Sequence, residues 1–380
     1  MNTSEVIIIG AGVIGCSIAY HLAKLGCHDV TVLEKNFIGS GSTEKCAGGI
    51  RQQFFTESNI RLSVESVHFF ERFEEETGHT ADFRQNGYLM LATTEAELET
   101  FRQSIVLQRS LGVEINLLSP QEARDIVPPL NIEDILGATY CPSDGYADPY
   151  SVVQGFASAA KRLGVRIYQE AEVTDMGRNA HVWCMTTSAN EKLQSPTVVV
   201  AAGAWSGQIG NILGVDIPVH PLRRHIFVTA PSPEVPKNAP MVVEFCSGFW
   251  FRREGPGLIF GMRNPEEQYS FDTGVDWEFL PIIAKVASHR LPVLADIGVC
   301  RGEAGFYEDT PDANAIIGGV AGMKGLYIAC GFSGHGFMHS PAVGRIVAEL
   351  VLRELPASEL PSFALERFGS QGCQKEWCLV

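Results

Sequence analysis

E5-V-I-I-I-G-A-G-V-I-G15, near the start of a 380-residue chain, decides the fold. After Glu5, Val6 to Ile9 is an uncharged, β-branched run with no polar face, as a strand buried on both sides of a parallel sheet requires. Three glycines spaced G-x-G-x-x-G follow, and then an apolar-periodic stretch, S17-I-A-Y-H-L-A-K-L25, that stops at Gly26. A second strand pattern, D29-V-T-V-L-E34, ends in an acid nineteen residues beyond Gly15. Strand, glycine turn, helix, strand and acid in this order form the dinucleotide fingerprint in its confirming context. Gly10 permits the tight turn and Gly12 lets the backbone approach a pyrophosphate. Gly15 allows the helix to lie close on the strand, and Glu34 can accept hydrogen bonds from ribose hydroxyls. Ile14 and Lys35 adjoin these positions and join the expected cofactor contacts.

The next segment, K35-N-F-I-G-S-G-S-T-E-K-C-A-G-G-I-R-Q-Q-F54, has neither a strand pattern nor a quick return to one. Ser42 and Thr43, followed by Gly48, Gly49 and Ile50, suit a loop running along an extended ligand, its amides near phosphates and a flavin. This favours FAD over NAD. A dithiol relay is not expected, because Arg51 stands where a C-x-x-x-x-C pair starting at Cys46 needs its second cysteine. Further on, T197-V-V-V-A-A-G203 reads as another parallel strand whose end, with Ala202, Gly203 and Trp205, meets the ligand. Val173 is expected against the adenine. G325-L-Y-I-A-C330 is a last buried strand, feeding G331-F-S-G-H-G-F337 and a helical segment that ends at Leu352. Such a strand, glycine loop and helix start make a platform of backbone donors, expected beside the flavin pyrimidine, whose N1–C2=O edge gains negative charge on reduction. Gly331, Ser333, Gly334, His335, Gly336 and Phe337 are its members, and the glycines are expected to admit the flavin ring.

A chain of this length exceeds the usual single core, so two lobes, or one large sheet domain carrying a cap, are expected. Its 45% apolar and 19% charged residues, without repeats, describe a globular enzyme-like body. The net charge of −15, with Lys and Arg scattered, argues against a nucleic-acid partner. Val6 to Tyr20 is too short and glycine-rich to span a bilayer and lacks the basic flank of a signal peptide, so a cytoplasmic protein is expected. Ten cysteines include no C-x-x-C pair; buried thiols are expected, and no metal site.

With the fingerprint, G39-S-G-S-T43, G48-G-I-R-Q-Q-F54, D-G-Y-A-D-P at 144–149 and G331-F-S-G-H-G-F337 in one order, the chain resembles the D-amino-acid oxidase-like FAD-dependent oxidoreductases. It is most similar to the β subunits of heteromeric sarcosine oxidase and L-proline dehydrogenase. The resemblance covers roughly residues 4–355 and implies an α/β fold with a discontinuous Rossmann-like FAD-binding domain (1–81, 141–210 and 300–365). A second α+β substrate domain with an antiparallel sheet (82–140 and 211–299) and a tail (366–380) complete the expected organisation. The implied reaction is oxidation of the C–N bond of a small amine or amino acid, sarcosine or proline foremost, by hydride transfer to flavin N5 to give an imine. Two rivals stand beside it: a 2-hydroxy-acid oxidoreductase of the same fold, and a flavin-holding subunit active only with partner chains. For the second, the tail S370-Q-G-C-Q-K-E-W-C-L-V380 is either a docking segment or a frayed end.

Departures from the family pattern carry further expectations. The cysteine that holds flavin covalently in monomeric sarcosine oxidases matches Gly305, which implies non-covalent FAD. That family's oxygen-activating lysine matches Ile259 and its carboxylate-binding lysine matches Met338. A cation is therefore expected to be missing beside N5, which favours a dehydrogenase. Arg51 matches the carboxylate-binding arginine, whose fork takes a carboxylate bidentately; a structural salt bridge is the alternative. His335 is read as bonding flavin or substrate, or else as a turn residue. Tyr307 and His225 are catalytic candidates, with Arg301 and Tyr88 nearby, each weighed against an ordinary core role.

Overall fold

The computed structural model describes residues 2–353, 355, 360–369 and 375–376. In chain order, β1 (Val6–Ile9), α1 (Val13–Lys24) and β2 (Val30–Leu33) carry the fingerprint, and α2 spans Glu57–Glu71. Then come β3 (Tyr88–Ala92), β4 (Asn116–Leu118), β5 (Gly137–Cys141), α3 (Pro149–Arg162), β6 (Arg166–Tyr168) and β7 (Thr197–Val200). The later strands are β8 (His220–Thr229), β9 (Met241–Glu244), β10 (Trp250–Glu254), β11 (Gly257–Gly261) and β12 (Val299–Asp309). β13 (Ile316–Gly319), β14 (Leu326–Cys330) and α4 (Gly336–Leu352) follow.

Six strands form a sheet in the order β13-β14-β7-β1-β2-β6, parallel except for the antiparallel pair β13–β14. Both faces of this sheet are covered, which is why its inner strands carry no polar side. Val6 and Ile8 of β1 pack with α1 and α4, while Ile7 and Ile9 pack with Met176, Trp183 and Met185 of a four-stranded sheet on the other face. α1 and α4 cross so closely that a Cβ on Gly344 would collide with Ser17 Oγ. Pro341 inside α4 removes the N–H that Phe337 O would accept, and Ser340 Oγ donates to that carbonyl instead, at 2.8 Å.

The second sheet has eight strands in the order β12-β8-β11-β10-β9-β3-β5-β4. It is antiparallel except between β9 and β3. β9 and β10 are joined through a turn at 245–247. β12 pairs with β8 from His220↔Asp309 to Thr229↔Val299, so the division expected at residue 300 runs through a strand of this sheet. No helix among the described residues is long and apolar enough to cross a membrane.

Candidate active site

A cavity of about 380 Å³ runs past the carboxyl ends of β14, β7, β1 and β2, the edge where open α/β sheets bind ligands. β14 and β2 are three strand spacings apart, about 14 Å, so the cavity is long enough for an extended ligand. At its β1–β2 end the backbone has been cleared. Gly10 sits at φ +107°, and a Cβ there would collide with Ala201 O. Gly12 is extended (φ −71°, ψ 179°), and its Cβ would meet only Thr43 Oγ1, at 3.4 Å. Gly15 does not line the cavity; it closes α1 onto the Gly10 carbonyl.

The donors of this end are set for phosphates and a ribose. Val13 N donates to Thr43 Oγ1 at 3.1 Å, while Ser42 Oγ is buried at the cavity without a hydrogen-bond partner. An orphaned buried hydroxyl is a place for a ligand atom. Glu34 is aimed by two amides, accepting from Ala11 N at 2.8 Å and Asn36 N at 2.9 Å. Lys35 Nζ stands 3.5 Å from the Trp205 ring centroid, with burial holding its pKa below the usual lysine range. Ile14, Val173, Ala202 and Gly203 line the same cavity. These residues fit an FAD.

Gly305, Tyr307 and Glu308 of β12 and Gly334, Gly336 and Phe337 of the glycine loop close the other end. The loop glycines were expected to admit the flavin ring. At Gly334 (φ +96°) the ring admitted is that of Tyr307, whose Cε2 would lie 2.5 Å from an added Cβ. Gly331 and Ser333 do not line the cavity; they tie the loop to β12, Gly331 N donating to Glu308 Oε2 at 3.1 Å and Ser333 N to Glu308 O at 3.1 Å. Ile50 is core and stands off the large cavity, and Gly49 faces a smaller one.

That smaller cavity, about 60 Å³, abuts this end and shares Lys45, Cys46, Arg224, Tyr307, Gly334 and Phe337 with it. Its charged lining is Lys45, Arg224 and Arg263, with no carboxylate. Arg224 projects from β8 with its guanidinium 5.0 Å from the Tyr307 ring centroid. It donates to Arg223 O at 3.3 Å and forms no ion pair with the described residues. Burial lowers its pKa, yet an arginine stays charged, so a cation faces a small protected space unneutralised.

The structure separates the expected catalytic residues. Arg51 and His335 are brought together, Arg51 Nη2 donating to His335 Nε2 at 3.1 Å, but neither side chain lines either cavity. Arg51 is 1% exposed, also donates to Gln53 O at 2.6 Å, and stacks 4.0 Å over Phe54, so it braces its loop from behind the wall. Tyr307 stands at the junction of the two cavities. His225 lines the smaller one, but its Nε2 accepts from Asp276 N at 3.0 Å and burial lowers its pKa, which leaves it a neutral ring already engaged. Tyr88 also lines the smaller cavity, whereas Arg301 pairs with Glu303 at 3.1 Å outside both.

Ile259 lies in the core, and Met338 faces the smaller cavity. Two cations from other positions, Lys45 and Arg224, line the end of the large cavity that abuts the smaller one. Sequence reading missed both, along with Glu308. The signal for Arg224 was present in the run Pro221-Leu222-Arg223-Arg224-His225, where period-two alternation turns adjacent arginines to opposite faces. Arg223 faces Glu267 (3.0 Å) and Asp272 (2.8 Å), and Arg224 faces the cavity.

Buried thiols hold for Cys16, Cys27, Cys141 and Cys330, but Cys246 and Cys300 are exposed. In the tail, Cys373, Trp377 and Cys378 lie outside the described residues. Glu376 is described and is neither frayed nor turned outward. Fully buried, it accepts from Phe55 N (3.1 Å), Thr56 Oγ1 (2.8 Å) and Asn59 Nδ2 (2.9 Å) at the start of α2, just beyond the Arg51 loop. Glu376→Ala takes the acceptor from Phe55 N and Thr56 Oγ1 at a positive helix end, while Asn59 Nδ2 keeps Asn314 Oδ1 at 2.8 Å, and is expected to cost about 3 kcal/mol. A urea titration checks it: the midpoint falls with the slope unchanged.

Comparison with known proteins agrees with this geometry. The profile of the DAO family, FAD dependent oxidoreductase, matches residues 5–350. Dimethylglycine dehydrogenase, mitochondrial, of Rattus norvegicus is 30% identical over 97% of this chain and 45% of its own length. FAD-dependent oxidoreductase domain-containing protein 1 of Bos taurus is 32% identical over 99% and 87%. The chain spans about half the length of the dimethylglycine and sarcosine dehydrogenases it matches. Among solved structures, L-proline dehydrogenase from P. horikoshii superposes with a TM-score of 0.90 at 35% identity, covering 97% of this chain and 98% of that one. Glycine oxidase from Geobacillus kaustophilus gives 0.86 at 26% identity, covering 97% and 99%.

Proposed function

The chain belongs to the DAO family of FAD-dependent oxidoreductases, and from that premise we propose that it oxidises the C–N bond of a small amino acid, sarcosine and proline foremost. The observation that carries this reading is the small cavity against the flavin end, lined by cations and by no acid. In this reading the eight-stranded sheet serves the substrate and the six-stranded sheet the cofactor. FAD, when bound, supplies the hydride acceptor. Arg224 receives the substrate carboxylate, Tyr307 packs beside it, and Trp250, Met338 and Phe337 keep water from the reacting carbon. The amine must arrive unprotonated to release hydride, and His225, already engaged, is not its base.

Gly305 leaves no room for a linking side chain, because a Cβ there would collide with Lys45 Cβ. Burial pushes the nearby Cys46 thiol up to about 12, so it is not the thiolate a covalent link requires. Acid precipitation of the holoenzyme is expected to leave all flavin in the supernatant; colour in the pellet refutes non-covalent binding.

The function is tested by anaerobic flavin absorbance titrated with sarcosine, proline, glycine and lactate, followed by air. Bleaching by an amino acid and not by lactate is the expected result. Bleaching by lactate alone identifies a hydroxy-acid enzyme, and the rate of recovery in air separates an oxidase from a dehydrogenase.

A further inference from the structure

Three acids among the described residues line the large cavity. Glu34 and Glu172 adjoin the β2 end, and Glu308 stands apart, where β12 meets the glycine loop. Its carboxylate is fixed from the protein side, Oε2 accepting from Gly331 N at the carboxyl end of β14. Gly203 makes room for Oε1, which lies 3.0 Å from where a Cβ would stand. The side of the carboxyl that the protein does not hold faces the cavity, so a flavin ring bound at this end would displace water from it.

Among the described residues no charged group pairs with Glu308, and Lys45, which lines the same cavity, pairs with Glu44 at 3.2 Å and Glu303 at 3.6 Å. From β8, Arg224 lies over the Tyr307 ring and His220 stacks on Tyr269 with centroids 4.8 Å apart. Its neighbour on β12, Asp309, accepts from Tyr269 Oη at 2.6 Å. From β14 comes the buried Cys330 thiol, from the loop His335 bonded to Arg51, and from beyond Gly203 the Trp205 ring with Lys35 over it. Burial is the leading influence on the carboxyl and pushes it up to about 7, against the pull of the Phe332 and Gly331 amides.

Two electrons entering a flavin with one proton leave it with a negative charge. In a site closed to water, a carboxylate beside that charge opposes its formation and a neutral acid does not. We propose that Glu308 is the proton-holding residue of the flavin site, its carboxylate taking up a proton as the bound flavin is reduced and releasing it on reoxidation. The balance is two electrons and one proton to the flavin, and one further proton from water to the carboxylate. Glu308 thereby couples the flavin potential to pH whichever amine supplies the electrons.

The experiment is a spectroelectrochemical titration of the holoenzyme and of Glu308→Gln between about pH 6 and pH 9, spanning the carboxyl's shifted range. Each extra proton per two electrons steepens the dependence of midpoint potential on pH by about 30 mV per unit. The wild type is expected to steepen once the carboxyl of the oxidised form ionises, and Glu308→Gln to lack that steepening. Ionisation of the reduced flavin itself makes the slope shallower as pH rises, so the two effects differ in sign. Should Glu308→Gln fail to hold FAD, proton uptake by the photoreduced wild type, read with an indicator dye, decides alone. More than one proton per two electrons at the alkaline end supports the assignment. One proton throughout, or equal slopes in both proteins, overturns it. Neither readout needs a substrate, so failure here is distinct from failure of the amine assignment.

Discussion

Arg224→Met is expected to lower kcat/KM for the responsive amino acid about 10²–10³-fold, the loss falling mainly in KM, while FAD content is unchanged. A bidentate, charge-assisted pair in a site shielded from water is worth about 3–4 kcal/mol, and each ~1.4 kcal/mol is tenfold. Methionine matches much of the arginine stem, so Tyr307 keeps its packing and the loss reports the charge. Arg224→Lys keeps the cation without the fork and is expected to fall between the two. The same amine stripped of its carboxylate, pyrrolidine for proline or dimethylamine for sarcosine, is expected to be a poor substrate of the wild type and indifferent to Arg224→Met. Steady-state kinetics on both members of the pair decide the matter. If the carboxylate-free amine loses as much as the amino acid, Arg224 acts through the fold and not on the substrate. Arg51→Lys is the contrasting case: its guanidinium supports Gln53 O and His335 from behind the wall, so its cost is expected in stability before KM.

The two arginines show where the sequence was legible. Buried strands announce themselves by composition, since a sheet covered on both faces excludes polar side chains, and β1, β2, β7 and β14 were recognisable on that ground. The glycine fingerprint was legible because its spacing recurs with the strand, helix and acid that flank it. Side-chain direction in the second sheet is not local. Whether Arg223 or Arg224 meets the cavity depends on the register of β8 against β12, where Arg224 stands opposite Gly305. Glu308 was hidden for the same reason, its carboxyl being assigned by the Gly331 amide twenty-three residues away. Arg51 stands in a stretch that matches a motif, and where its guanidinium lies, over Phe54 and against His335 284 residues on, is a tertiary matter.

Gly10 and Gly12 look equivalent in the fingerprint, and the structure predicts opposite failures for them. Gly10→Ala puts a side chain onto the Ala201 carbonyl in a left-handed backbone conformation, between two strands that cannot separate without breaking the β1–β7 ladder. It is expected to yield insoluble protein. Gly12→Ala meets no such obstacle, since its backbone is extended and its nearest contact is a hydroxyl at 3.4 Å. The added methyl instead fills the space by which a pyrophosphate approaches the Val13 amide and the orphaned Ser42 hydroxyl. Gly12→Ala is therefore expected to fold with an unfolding midpoint near that of wild-type apoprotein and to bind FAD at least about 100-fold more weakly, some 3 kcal/mol. Thermal unfolding of the two apoproteins, with FAD titrated by flavin fluorescence, measures both quantities on one sample. Wild-type affinity in Gly12→Ala refutes the pyrophosphate assignment, because no other part of a dinucleotide needs the backbone bare at that position.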